Sequence, residues 1–365
     1  MKPFFILNNW PFNILVFLSL VYIFLPYTIK NSNINEDQEK LSNRSQKFIN
    51  PIKHKNDNIN SANCSDLKLF TKSRNYPYVA LASFQGSGNT WTRHLLQVFT
   101  GISTGSLYHD GTIRKNSNLN RLAHAVSNKI CQTQPDYSNY IAIKCHRWPD
   151  YLRHVQGNRY VHCADIFNKT IFLIRNPVDA IVSEYKRLQA KKQKAENAHT
   201  LKITNRELIS LWSEKLHNFQ SQKVDQWLEL LVGWISFYSE FNNKNKNNGN
   251  AKKLNSNLLI LCYENLREET TAQLQRLPEF LNLEKSEIRP QCLADNLEGA
   301  FRRAVRSIDS PVEDLKNIET FTNETLVKMR KNMKTAYKLL DEHHYDQKRC
   351  VLQYLHQIDL FMGIN

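Results

Sequence analysis

The sequence predicts an α/β fold of three layers, a central and mostly parallel sheet flanked by helices, preceded by one N-terminal transmembrane helix. Three observations predict it. Short apolar runs, YVALASF at 78–84, YIAIK at 140–144, TIFLI at 170–174 and LLILCY at 258–263, lack the polar alternation of a half-wet strand. Such runs suit parallel strands covered on both faces, with functional residues at their carboxyl ends. The first run leads into QGSGN and then a helical pattern over 90–99, the strand, glycine-rich turn and helix that make the fold P-loop-like. Finally, no residue from Pro3 to Ile29 is charged, which gives about 18 apolar residues, enough for one span.

These elements divide the chain in order. Residues 1–9 form a short tail, 10–28 a signal-anchor, 29–75 a stem, 76–346 the folded domain and 347–365 a C-terminal tail. No alanine precedes Ala62, so the small-residue site of a cleaved signal peptide is missing. The local Lys/Arg count, Lys2 against Lys30, Lys40, Arg44 and Lys47, mildly opposes a lumenal domain, although a long following domain translocates regardless of nearby charge. The stem is rich in Asn, Lys, Asp and Ser, a solvated composition. In the domain, Pro177 opens a helix running through Ser183 toward Lys194, with Asp179 favouring its positive end. A further helix covers about 205–241 and buries Trp212, Trp227 and Trp234, the tract at 242–253 is a loop, and a long helix covers about 322–342.

Forty-nine Lys and Arg against thirty-four Asp and Glu give a net charge of +15. That excess points to a polyanionic partner without choosing among nucleic acid, anionic lipid and a phosphorylated cofactor or glycan. The seven cysteines, 64, 131, 145, 163, 262, 292 and 350, include no CxxC pair, so a zinc module is not expected. Cys145 and Cys262 lie in apolar strands and are the candidates for unpaired thiols. The other five are the bridge pool. Asn43, Asn63, Asn168 and Asn323 begin glycosylation triplets.

Three motifs carry chemistry. In SFQGSGNTW at 83–91, Gly86 and Gly88 remove side-chain bulk, so the amides of Gly86, Ser87, Gly88, Asn89 and Thr90 can converge on a phosphate at a helix start. Thr90 adds a hydroxyl and Arg93 a charge from one turn further in. The nucleotide triphosphatase pattern, which ends its glycine loop in Lys and Ser or Thr, is absent, which makes a kinase the alternative reading. In IKCHRW at 143–148, Lys144 and His146 stand two positions apart at a strand end, an ammonium for crowded oxygens beside an imidazole able to take a proton from an alcohol. In FLIRNPVDAIVSEYKR at 172–187, Arg175 and Ser183 form a second anion site. Two separate anion sites beside one His/Lys pair fit a cofactor with phosphates at both ends better than nucleic acid.

With these residues in place, the sequence resembles the sulfotransferases that use 3′-phosphoadenosine 5′-phosphosulfate (PAPS). SFQGSGNTW is similar to their 5′-phosphosulfate loop, KCH to their Lys-x-His strand end, and IRNPVDAIVSEYKR to their 3′-phosphate strand and helix. LCYENL at 261–266 resembles their Tyr-Glu strand, and GAFRR at 299–303 a late segment that brings Arg302 near the cofactor. The wording is most similar to membrane-bound sulfotransferases related to those with a WSC domain, but this chain has no Cys-rich segment of that kind. The resemblance implies a glycan acceptor in the Golgi lumen and sulfuryl transfer without a metal. It also implies that His146 deprotonates the acceptor, that Lys144 stabilises the group in flight, and that Arg175 and Ser183 grip the 3′-phosphate. One departure matters: Gly86 stands where many relatives place Lys or Arg, so Arg93, Lys144 or Arg302 must supply that charge. Glu264 reads as either a carboxylate supporting the basic groups or a solvated strand-edge residue.

Overall fold

The computed structural model describes residue 64 and residues 77–108, 140–147, 153–156, 159–162, 167–192, 214–246, 257–294, 296–297 and 317–364. The anchor at 10–28, the stem except Cys64, and the residues Cys131, Cys163, Trp212 and Arg302 lie outside the described residues. No described helix is long and apolar enough to cross a membrane.

Among the described residues five strands build the central sheet: β1 (Val79–Ser83), β2 (Gly105–Ser106), β3 (Ile143–Cys145), β6 (Lys169–Ile174) and β7 (Leu258–Cys262), in the order β2-β3-β1-β6-β7. Every pairing in it is parallel. A separate antiparallel pair joins β4 (Arg153–Gln156) to β5 (Arg159–His162). The apolar runs are strands because both of their faces are covered. Ala80, Ala82, Phe172, Ile174, Ile260 and Cys262 enter one core cluster, while Val79, Leu81, Ile171, Leu173 and Leu261 enter the other.

The helices make the outer layers. Helix α1 (Asn89–Thr100) covers the second face with Leu95, Leu96 and Phe99, all fully buried. Each such side chain stabilises the fold by roughly 2 kcal/mol through burial. Gly101 ends α1 in the left-handed region, its N–H bonded to the Gln97 carbonyl. The first face carries α2 (Pro177–Lys192), α3 (Glu214–Lys246), α7 (Asn323–Glu342) and α8 (Lys348–Phe361). Three short helices, α4 (Tyr263–Glu268), α5 (Thr270–Leu274) and α6 (Leu277–Leu281), follow β7. Thr322 caps α7 by accepting the Thr325 N–H, and Trp227 and Trp234 are buried in the core.

Three expectations are corrected. Residues 347–365 are not a tail: α8 buries Cys350, Val351, Tyr354 and Ile358 in the first core. The tract at 242–253 is helical as far as Lys246, since α3 runs from Glu214 to that residue. Cys262 is not a free thiol but is bonded to Cys350, and Cys64 is bonded to Cys292. Cys262 points to the face on which α8 packs, so alternation along β7 aims it at its partner. Cys145 is free and buried.

Candidate active site

The sheet register assembles the site. Ala82 pairs with Cys145 and Ser83 with Leu173, so Ser83, His146 and Arg175 stand together at the carboxyl ends of three adjacent strands. Lys144 alternates with Ile143 and Cys145, which enter the first core, and so lies on the α1 face of the sheet, 7% exposed.

His146 is held by its neighbours in one tautomer. Its Nδ1 lies 2.8 Å from the Ser83 carbonyl oxygen and 3.3 Å from Ser83 Oγ. A carbonyl only accepts, so Nδ1 carries the hydrogen and Nε2 is the acceptor nitrogen of the neutral ring. Asn89 Nδ2 donates to Ser83 Oγ and to the Leu81 carbonyl, each at 3.0 Å, tying the residue that holds the imidazole to the first residue of α1. Tyr108 stacks on the imidazole with ring centroids 5.6 Å apart, and its hydroxyl accepts the His146 N–H at 2.9 Å. Burial raises the Tyr108 phenol pKa, so it stays protonated and remains a hydrogen-bonding group throughout the neutral range. No local pattern around Tyr108 announces this role.

The glycine turn presents a helix start open to an anion. Gly88, at φ 89°, caps α1 without any side-chain bond, and the first turn contains no acidic residue. The leading amides of α1 therefore have no partner within the helix. Packing within the protein also requires these glycines. A Cβ at Gly86 would stand 2.1 Å from the Ala180 carbonyl oxygen, and one at Gly88 2.5 Å from the Tyr263 ring. Thr90 is half-buried at the mouth of the turn. Arg93 does not serve it: fully buried, its side chain donates to the Thr104 hydroxyl and carbonyl. Arg93 shares the inward face of α1 with Leu96 and Thr100, one and two turns on.

Arg175 links the turn to the second predicted anion site. One guanidinium nitrogen donates to the Gly86 carbonyl at 2.7 Å, and the guanidinium lies over the Tyr263 ring at 4.3 Å from its centroid. Burial opposes its charge, but Tyr263, Asp179, Glu264 and Tyr354 hold its pKa above the ordinary arginine value. Ser183 is half-buried on α2. Trp91, edge-on to Tyr263 at 5.7 Å, flanks the turn with a second aromatic ring.

Glu264 is no solvated edge residue. It accepts the Asn176 N–H at 3.2 Å and the Tyr354 hydroxyl. Burial raises its pKa, offset by the Tyr354 hydroxyl, Arg175 and the Asn176 amide. Tyr354 belongs to α8, and the apolar spacing Val351, Tyr354, Ile358 was the available signal for that helix.

The arrangement fits a nucleotide with phosphates at both ends. Ser87 Oγ, in the glycine turn beside an uncapped helix start, and Arg175 Nε, in the second predicted anion site, are buried with no hydrogen-bond partner among the described residues, polar groups that a bound anion would satisfy. The family model for the sulfotransferase domain matches residues 77–338. The chain belongs to that family. Its relatives include WSCD family member GA21586 of Drosophila pseudoobscura pseudoobscura, 26% identical over 261 residues, covering 72% of this chain and 66% of that protein. WSCD family member CG9164 of Drosophila melanogaster is also 26% identical, over 72% of this chain and 65% of its own length. The match thus spans just under two thirds of these relatives. A mouse sulfotransferase structure, SULT7A1 complexed with PAP, aligns with a TM-score of 0.41 at 14% identity, over 77% of this chain and 90% of that one.

Proposed function

We propose that the chain transfers a sulfuryl group from PAPS to an acceptor hydroxyl, and that the acceptor is a glycan. The observation that carries this reading is the fixed tautomer of His146. With Nδ1–H committed to the Ser83 carbonyl, Nε2 is the position that takes the acceptor proton. Bound PAPS supplies the activated sulfuryl group and adenosine 3′,5′-bisphosphate as leaving group. The chain supplies alignment and charge. The amides at 86–90, with Ser87 and Thr90, hold the 5′ end, and Arg175 and Ser183 hold the 3′-phosphate. Lys144 steadies the oxygens that gain charge. Of the three cations that can stand in for a basic residue at position 86, Arg93 is turned away, and Lys144, at the carboxyl end of β3 beside His146, is the one this reading assigns.

The disulfides Cys64–Cys292 and Cys262–Cys350 support an oxidising compartment. A single-pass Golgi anchor at 10–28 with the domain lumenal, and glycosylation of the chain, are part of this proposal. A second reading, a nucleotide-binding relative without turnover, is favoured by the Ala180 carbonyl standing where a basic side chain at position 86 would begin.

Full-length chain with radiolabelled PAPS and a glycan panel tests both. Label transfer is expected, and His146→Ala should lower it about 10²–10⁴-fold while PAP binding persists. PAP binding with no transfer to any acceptor favours the second reading. Transfer unchanged in His146→Ala removes the proton-transfer role, and absence of PAP binding removes both readings.

A further inference from the structure

Helix α8 lies beyond the residues matched by the family model, which end at 338, yet three residues on one of its faces reach the Arg175 end of the site. Cys350, Tyr354 and Gln357 are spaced i, i+4 and i+7. Cys350 is bonded to Cys262, the last residue of β7. The next two residues are Tyr263, whose ring lies under the Arg175 guanidinium, and Glu264. Tyr354, 2% exposed, donates its hydroxyl to one Glu264 oxygen while the other accepts the Asn176 N–H. Gln357 Oε1 accepts from Asn176 Nδ2 at 2.7 Å.

Asn176 follows Arg175 directly, and all of its polar groups are engaged. Its N–H goes to Glu264 and its side-chain amide to Gln357, while Oδ1 accepts the Val178 N–H and the carbonyl accepts the Ala180 N–H. The last two bonds cap α2, the helix that carries Ser183. Both groups assigned to the 3′-phosphate therefore hang on a residue that α8 holds.

We propose that Tyr354 and Gln357 are positioning residues for the 3′-phosphate end of the nucleotide site, acting through Glu264 and Asn176 on Arg175. The inference rests on the assignment of Arg175 to that phosphate. The Tyr354 hydroxyl also occupies a carboxylate oxygen that would otherwise compete with phosphate for the buried guanidinium. Removing the hydroxyl frees that oxygen to turn to Arg175, so the loss should be specific to ligands that carry a 3′-phosphate.

Calorimetric titration of the full chain with adenosine 3′,5′-bisphosphate and with adenosine 5′-monophosphate tests this. The wild-type chain should prefer the bisphosphate. Tyr354→Phe should weaken bisphosphate binding about tenfold and leave the monophosphate within about twofold. The double variant Tyr354→Phe with Glu264→Gln should recover most of the bisphosphate affinity, because the amide cannot neutralise Arg175; a purely structural role predicts no recovery. Gln357→Ala, at a half-buried position, should show the same selective loss and serves if Tyr354→Phe does not fold. Equal loss of both ligands, or loss of neither, overturns the inference while a wild-type preference for the bisphosphate leaves the Arg175 assignment standing. A wild-type chain that binds both ligands equally overturns that assignment and the inference with it.

Discussion

Gly86 illustrates how one position constrains the chemistry. Its φ is +80°, and the Cβ of any substitute would overlap the backbone of α2 at the Ala180 carbonyl. A lysine there would be strained twice, by its left-handed backbone and by contact with atoms that cannot move aside. Gly86→Lys should therefore destabilise the fold by about 2 kcal/mol or more, lowering Tm by about 3 °C or more, and should not raise transfer. A Tm at or above wild type in a thermal melt would show that α2 gives way. The charge must come from elsewhere, so Lys144→Met should lower transfer by about 10²–10³-fold, measured in the labelled-PAPS assay. Cys145, next along β3, is fully buried, and burial raises its pKa to about 11. At pH 8 only about 0.1% of such a thiol is thiolate. Native protein should leave Cys145 unmodified by iodoacetamide in peptide mapping, and urea-unfolded protein should not.

Helix α1 is anchored at both ends of its function: the amides of its first turn face the predicted anion site, and its exposed flank holds the segment at 296–297. Trp91 Nε1 donates to the Leu297 carbonyl at 2.8 Å and His94 Nε2 to the Asn296 carbonyl at 2.6 Å. Burial lowers the His94 pKa from 6.5, opposed by that carbonyl bond. Between the lowered value and 6.5 the unfolded chain binds more protons than the folded one, so the contribution of His94 is present above 6.5 and is lost as pH falls. Urea unfolding at pH 7.5 and 5.5 should show a smaller pH-dependent loss in His94→Gln than in wild type; an equal loss assigns the effect to other groups. Strands β1, β3, β6 and β7 were legible because burial on both faces leaves continuous apolar runs. Strand β2 is only Gly105–Ser106, and β4 and β5 read RHVQ and RYVH, so none of the three offers such a run. The C-terminal end of α3 runs past the expected 241 because its last turn is Asn and Lys, residues with no apolar period to mark continuation. The glycine turn, Lys144, His146, Arg175 and Ser183 were legible as local motifs. Tyr108, Tyr354 and Gln357 reach the site only through tertiary packing, and the rotation of α1 turns Arg93 from the glycine turn to Thr104, which distance along the chain does not reveal.

Among the described residues of the domain, two disulfides sit on opposite faces of the sheet and make different demands on it. Cys64–Cys292 belongs with the α1-side core and joins residues 228 apart, while Cys262–Cys350 belongs with the α8-side core and joins residues 88 apart. Closing loops of this size removes unfolded-state entropy worth about 5 kcal/mol each in the chain-entropy account, of which native bridges commonly deliver less. Replacing either pair with serine should therefore lower stability by about 2–4 kcal/mol in urea unfolding. Only the second pair borders residues that touch Arg175, since Cys262 precedes Tyr263 and Glu264. The double variant Cys64→Ser with Cys292→Ser should bind PAP as wild type does at a temperature well below its Tm. Cys262→Ser with Cys350→Ser, matched for stability, should bind it more weakly, because the face of α8 that holds Asn176 is no longer pinned to β7. Equal PAP affinities in the two variants would make both bridges purely stabilising. A loss confined to the Cys64–Cys292 variant would place the sensitive end of the site on the α1 face, at the glycine turn, rather than at Arg175.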